Sequence, residues 1–153
     1  MAPGSNVQMW APQFRLTRTT EERLLFRYAQ ELNPTFDPAS QPVRIIIVWK
    51  YESEGGQPAA EDYQQMNLLE DTLESTLNQG SLATLALVST GEGLREWTYY
   101  APSEDEFLAR LNYAFAGSPR FPIEIHTAYD PNWDVYWDFK SGGRGCHVVQ
   151  WNV

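Results

Sequence analysis

Lysine is almost missing from this chain of 153 residues, occurring only at Lys50 and Lys140. The Lys and Arg residues number 11 against 20 Asp and Glu, for a formal net charge of -9. A phosphate backbone is bound by clustered Lys and Arg, so this balance excludes nucleic acid as the main partner. Cysteine is as scarce: Cys146 stands alone, which rules out an intrachain disulfide and a secreted disulfide scaffold and leads us to expect a reducing, cytoplasmic location. Long hydrophobic runs are absent as well. The most apolar stretch is Ile45 to Trp49, and Met1 to Trp10 has neither a basic region nor an apolar run, so neither a signal peptide nor a membrane span is expected.

What the chain has instead is aromatic and acidic side chains, with aromatics at 14% and hydrophobic residues at 42%. That is the composition of a folded domain, and the length suits one. We expect a single domain over 1–153, made of an N-terminal extension (1–42), a core (43–139) and a tail (140–153) whose glycines at 142, 143 and 145 mark a turn.

Periodicity sketches the elements. Gln13 to Thr19 alternates and leads through the polar Thr20-Glu21-Glu22 into Arg23 to Leu32, as a β-hairpin would. The second arm fits a strand with Leu24, Phe26 and Tyr28 on one face, or a helix striped by Leu24, Leu25, Tyr28 and Leu32; the strand is the preferred reading. Val43 to Tyr51 is β-branched and apolar, as a central strand should be. From Pro58 to about Gln79, Tyr63, Met66, Leu69, Leu73 and Leu77 keep helical spacing, with Gly80 as a stop and Glu61, Asp62, Glu70, Asp71 and Glu74 largely off the stripe. Leu82 to Ser89 and Leu94 to Tyr100 form a hairpin about Gly91-Glu92-Gly93. Ser103-Glu104-Asp105-Glu106 has the form of a capping box and opens a helix carrying Phe107, Leu108, Leu111 and Phe115, and Ile123 to Tyr129 alternates as a last strand. The order predicts an α+β fold with a ferredoxin-like βαββαβ core, an antiparallel sheet with two helices on one face, extended by the N-terminal hairpin.

The densest chemistry lies at Asp130-Pro131-Asn132-Trp133-Asp134-Val135-Tyr136-Trp137-Asp138-Phe139. An aspartate before a proline suits an N-cap followed by the first helical position. A helical turn there would set Asp130, Asp134 and Asp138 on one face and Trp133, Tyr136 and Trp137 on another. Two readings stay open: a turn pinning the sheet, or a patch for a partner.

Catalytic and metal chemistry finds no pattern. His126 and His147 sit in no nucleophile motif, and Cys146 beside His147 would point to the opposite side of an extended chain. Two histidines and one cysteine lack a zinc spacing, and neither Gly91-Glu92-Gly93 nor Gly142-Gly143-Arg144-Gly145 offers a phosphate cradle. Trp97, Tyr99 and Tyr100 could stack on bases, but Glu92 and Glu96 flank them where RNA-binding sheets place cations. No catalytic residue, metal ligand or cofactor is therefore assigned.

The segments Gly56 to Asp62, Met66 to Leu73, Gly93 to Tyr100 and Asp130 to Tyr136, in this order, resemble the bacterial domain-of-unknown-function 695 family over about Val43 to Phe139. That family is similar in fold to the regulator of ribonuclease E activity B, an acidic non-catalytic inhibitor. The resemblance implies a ferredoxin-like core and carries over no catalytic residue.

The leading expectation is a non-enzymatic acidic module that binds a protein, basic by complementarity, as a regulator, inhibitor or immunity protein. Its candidate surface is Asp130, Trp133, Asp134, Tyr136 and Trp137 together with Glu70, Asp71 and Glu74. The alternative is a small-ligand domain or hydrolase whose cleft is lined by Trp49, Tyr51, Trp97, Tyr99 and carboxylates.

Overall fold

The computed structural model describes residues 7–10, 15–19, 22–52, 57–77, 82–117 and 120–142. The expected stop at Gly80, the polar turn at Thr20-Glu21 and the tail with Cys146 and His147 lie outside the described residues.

The fold is mixed α+β, with three α-helices among the described residues on an antiparallel sheet. Its strands are β1 (Val7–Trp10), β2 (Arg15–Thr19), β3 (Glu22–Leu32), β4 (Val43–Lys50), β5 (Thr84–Gly91), β6 (Leu94–Ala101) and β7 (Ile123–Tyr129). The body of the sheet runs β3-β5-β6-β4-β7, and both β1 and β2 pair with β3. The helices are α1 (Ala60–Leu77), α2 (Glu104–Ala114) and α3 (Asp134–Gly142).

β4 is central as its composition requires: it pairs with β6 from Val43↔Ala101 to Lys50↔Leu94 and with β7 from Val43↔Tyr129 to Trp49↔Ile123. Side chains alternate across a strand, so Ile45, Ile47 and Trp49 join the core under α1 and α2. Ile46 and Val48, facing the other way, are buried too. Strand β3 settles the ambiguous segment. Its Phe26 and Tyr28 pair with Ser89 and Leu87 of β5, and ladder bonds along eleven residues outweigh a helical stripe that three leucines and a tyrosine fit equally well.

The turn Glu92-Gly93 is a two-residue hairpin loop with φ of 55° and 82°. Positive φ at both positions matches the twist of the flanking strands, and only the glycine adopts it without steric cost. α1 starts at Ala60 rather than Pro58, with the N–H of Tyr63 bonded to the Ala59 carbonyl. α2 is capped by Ser103, whose hydroxyl accepts from the Glu106 N–H at 3.2 Å.

Helices cover both faces of the sheet. α1 and α2 bury Met66, Leu69, Leu73, Leu77, Phe107 and Leu111 on one face. The short α3 buries Phe139 against Phe26, Tyr28 and Leu87, and Tyr136 with the preceding Trp133 against Ala29, Ala86 and Tyr100, on the other. The adjacent Tyr99 and Tyr100 make the division concrete: Tyr99 meets Phe107 of α2 at 5.5 Å, and Tyr100 stacks on Trp133 at 4.1 Å.

Candidate functional site

The Asp130 segment builds a cap by a different route from the one its sequence suggests. Asp130 stays outside the helix and opens a tight turn in which the Trp133 N–H donates to the Asp130 carbonyl at 3.0 Å. Pro131 takes the second position of that turn, which its fixed φ favours. Trp133 then adopts φ of 57°, and its carbonyl accepts the first helical bond, from Trp137, at 2.9 Å. The Asp130 carboxylate reaches forward to the N–H groups of Asp134 (2.9 Å) and Val135 (3.4 Å), so it caps α3 from four residues upstream.

The same carboxylate accepts from the Tyr100 hydroxyl at 2.8 Å and pairs with Arg44 at 3.4 Å. Four donors converge on this one buried group, three on Oδ2 and one on Oδ1. Burial and this anionic neighbour both push the Tyr100 hydroxyl well above its usual range. Trp133 is fully buried, its indole N–H donating to the Gln41 carbonyl at 2.9 Å. Tyr136, also fully buried, donates its hydroxyl to the Ala29 carbonyl. Asp130, Trp133 and Tyr136 are thereby removed from any partner surface, because their polar atoms and rings are consumed in joining α3 to β3 and β6. Asp134 and Trp137 remain exposed.

A second polar cluster forms on the α1 side. Glu70 receives Arg27 of β3, Arg95 of β6 at 3.2 Å and the Trp97 indole N–H at 3.0 Å. Burial by itself would raise the Glu70 carboxyl, but Arg27, Trp97 and Arg95 outweigh it and hold the group below its usual range. Arg95 lies against Trp97 at 5.3 Å and Tyr63 at 5.7 Å, stacked as a guanidinium tends to be. Glu70 therefore ties α1 to the sheet and is saturated, whereas Asp71 and Glu74, one step round the helix, are exposed.

The proposed cleft residues are packed together and line no open surface. Trp49, Tyr51, Trp97 and Tyr99 all belong to the core under α1 and α2, where alternation along β4 and β6 directs them. Burial pushes the Tyr51 hydroxyl up to about 12.

Glu96 was not among the expected site residues. It lies on the α3 side of the sheet, 6% exposed, opposite Ser89 and Val48. Burial raises its carboxyl to about 7, and the Ser89 hydroxyl offsets this only in part. Between the ordinary 4.5 and that value the folded protein holds a proton that the unfolded chain has released, so stability falls as pH rises through this window. We expect Glu96→Gln, which mimics the protonated form, to stabilise the protein by roughly 2–3 kcal/mol at about pH 8 and to change little near pH 4. Urea denaturation at both values checks this; equal effects at both would remove the buried carboxyl as the cause. Arg27, Arg44 and Arg95 were also missed. Their signal was there: in a chain this poor in cations, six arginines of the described residues, Arg15, Arg18, Arg23, Arg27, Arg44 and Arg95, sit inside strands.

Two comparisons with known proteins bear on the chain. Residues 18–140 match the model of a family described as a family of unknown function, DUF695. The match begins upstream of Val43, where the resemblance in sequence began, and so takes in β3 and the last two residues of β2, Arg18 and Thr19. No curated protein matches the chain.

Proposed function

Since the chain belongs to the DUF695 family, whose function is unknown, we propose from the outer face of α1 that it is a non-enzymatic protein-binding module, a regulator, inhibitor or immunity protein with a basic protein as partner. The carrying observation is the charge of that helix. α1 holds Glu61, Asp62, Glu70, Asp71 and Glu74 and no Lys or Arg, and α2 beside it opens on Glu104, Asp105 and Glu106. Near the middle of the acidic face Leu68 is 50% exposed, flanked at helical spacing by Gln64 and Asp71. An apolar anchor on an acidic helix suits a cationic surface that carries its own apolar contact.

The strand order β5-β6-β4-β7 under α1 and α2 fits the ferredoxin-like βαββαβ arrangement, with β2 and β3 as an N-terminal hairpin. That order supports the likeness in fold to the regulator of ribonuclease E activity B. A cytoplasmic location belongs to the same reading; no helix among the described residues is long and apolar enough to cross a membrane. The rival, a ligand cleft lined by Trp49, Tyr51, Trp97 and Tyr99, has less support because all four side chains are buried.

The test is co-purification from native lysate with Asp71→Lys combined with Glu74→Lys. Both positions are exposed, so stability should stay within about 0.5 kcal/mol. A basic protein retained by the parent chain should be lost by this variant and released by salt, since exposed charge pairs are screened beyond about 10 Å at 0.1 M. Retention unchanged by the double reversal would sink the α1 surface. Trp133→Ala is unsuitable as a probe, because it removes a core side chain.

A further inference from the structure

We propose that two copies of this chain pair edge to edge through β7, antiparallel and centred on Ile125. Among the described residues β7 ends the sheet, with β4 on one side and no strand on the other. The Asp130 N–H donates to the Pro42 carbonyl at 2.7 Å, which fixes the phase of the ladder. Narrow and wide pairs alternate in an antiparallel ladder, so Glu124, His126 and Ala128 turn their peptide groups toward β4. Ile123, Ile125, Thr127 and Tyr129 turn theirs outward. The Ile123 N–H is taken by the Phe121 carbonyl at 2.9 Å, and the N–H groups of Ile125, Thr127 and Tyr129 face away from the sheet.

Exposed edges are usually blunted by proline, a bulge or inward charge. β7 has an unbroken seven-residue register with β4 and no proline within it, and Tyr129 at its end is 76% exposed. Such a strand accepts another strand.

The pairing of carboxylate with imidazole selects a second copy as the occupant. Glu124 and His126 lie on one face of β7, with Nε2 and Oε1 3.4 Å apart, and Lys50 of β4 approaches Glu124 at 3.4 Å. A two-fold axis through Ile125 sets Glu124 opposite the partner's His126 and His126 opposite the partner's Glu124. It also places Ile123 against the partner's Thr127. The strand is thus complementary to itself in one register. The net charge of -9 opposes self-association in general, but Lys50 and the nearby Arg120 place cations at this edge beside Glu124.

The experiment is sedimentation equilibrium over about a hundredfold range of concentration, where mass action separates monomer from dimer. The parent chain should pass from monomer to dimer. Thr127→Pro removes an outward N–H from an exposed position and spares the β4 ladder, and it should remain monomeric with an unchanged circular dichroism spectrum. If that variant fails to fold, His126→Glu decides: carboxylates then face each other twice across the axis, weakening the dimer about tenfold. Adding Glu124→His to it restores a carboxylate opposite an imidazole and should restore the dimer. A parent chain monomeric throughout, a folded Thr127→Pro that still dimerises, or a His126→Glu dimer as tight as the parent would overturn the proposal.

Discussion

Trp133→Ala is expected to destabilise the protein by about 3–5 kcal/mol, the usual range for deleting a buried aromatic. The indole is fully buried where the start of α3 meets β3, β5 and β6. It stacks on Tyr100 with planes 10° apart, meets Tyr136 edge-on at 5.8 Å and lies 5.6 Å from Phe36. Its N–H satisfies the Gln41 carbonyl, which the variant would leave buried and unpaired. Alanine gains nothing from the backbone, since φ of 57° strains any residue with a Cβ. Glycine does gain, so Trp133→Gly should recover about 1 kcal/mol relative to alanine. Urea denaturation followed by far-ultraviolet circular dichroism measures both. A loss below about 1 kcal/mol would place the ring outside the core, and a glycine variant less stable than the alanine one would deny the positive φ.

Glu70→Ala is the second large effect, expected at about 2–4 kcal/mol. The carboxylate answers two guanidinium groups, and removing it leaves Arg95, whose side chain is 10% exposed, beside Arg27 with no opposing charge. Trp97 also loses the acceptor of its buried N–H. The upper end of the range applies to fully buried pairs; Arg27 retains some contact with water, which tempers the loss. The pH dependence identifies the cause. Because the folded-state value lies below the ordinary 4.5, the contribution is complete above that value and disappears as pH falls through the lower, folded one. Denaturation at neutral pH and near pH 3 should show the gap between parent and variant narrowing in acid. A gap constant with pH would mean that lost packing, and not the ionised carboxylate, accounts for the effect. Replacing Arg27 and Arg95 by methionine together with Glu70→Leu should cost far less than Glu70→Ala, since no charge is then stranded.

Much of the secondary structure was legible because it follows from local periodicity. The β-branched run from Val43, the leucine stripe of α1, the glycines at 91 and 93 and the capping serine at 103 each act within a few residues, and each element lies where its pattern points. Arg23 to Leu32 was ambiguous for the same reason: its apolar residues satisfy both periods, and only pairing with β5 selects the strand. The Asp130 segment shows the limit from the other side. Spacing announced an aspartate cap and a cluster of aromatics, yet Asp130 caps from outside the helix because Tyr100 and Arg44 hold its carboxylate, and those residues are 30 and 86 positions away.

The amino-acid sequence by itself determined the acidity, the scarcity of lysine and cysteine, and the succession of strands and helices, since composition and short-range pattern need no partner in space. Which face each side chain serves was decided by tertiary structure. Adjacent residues on a strand point to opposite layers, so Tyr99 meets α2 and Tyr100 meets Trp133 only once a third helix has covered the second face of the sheet. The same packing buried Trp133, Tyr136 and Asp130 and left Leu68, Asp71 and Glu74 outside. Burial depends on contacts between distant segments, and no spacing within one segment specifies them.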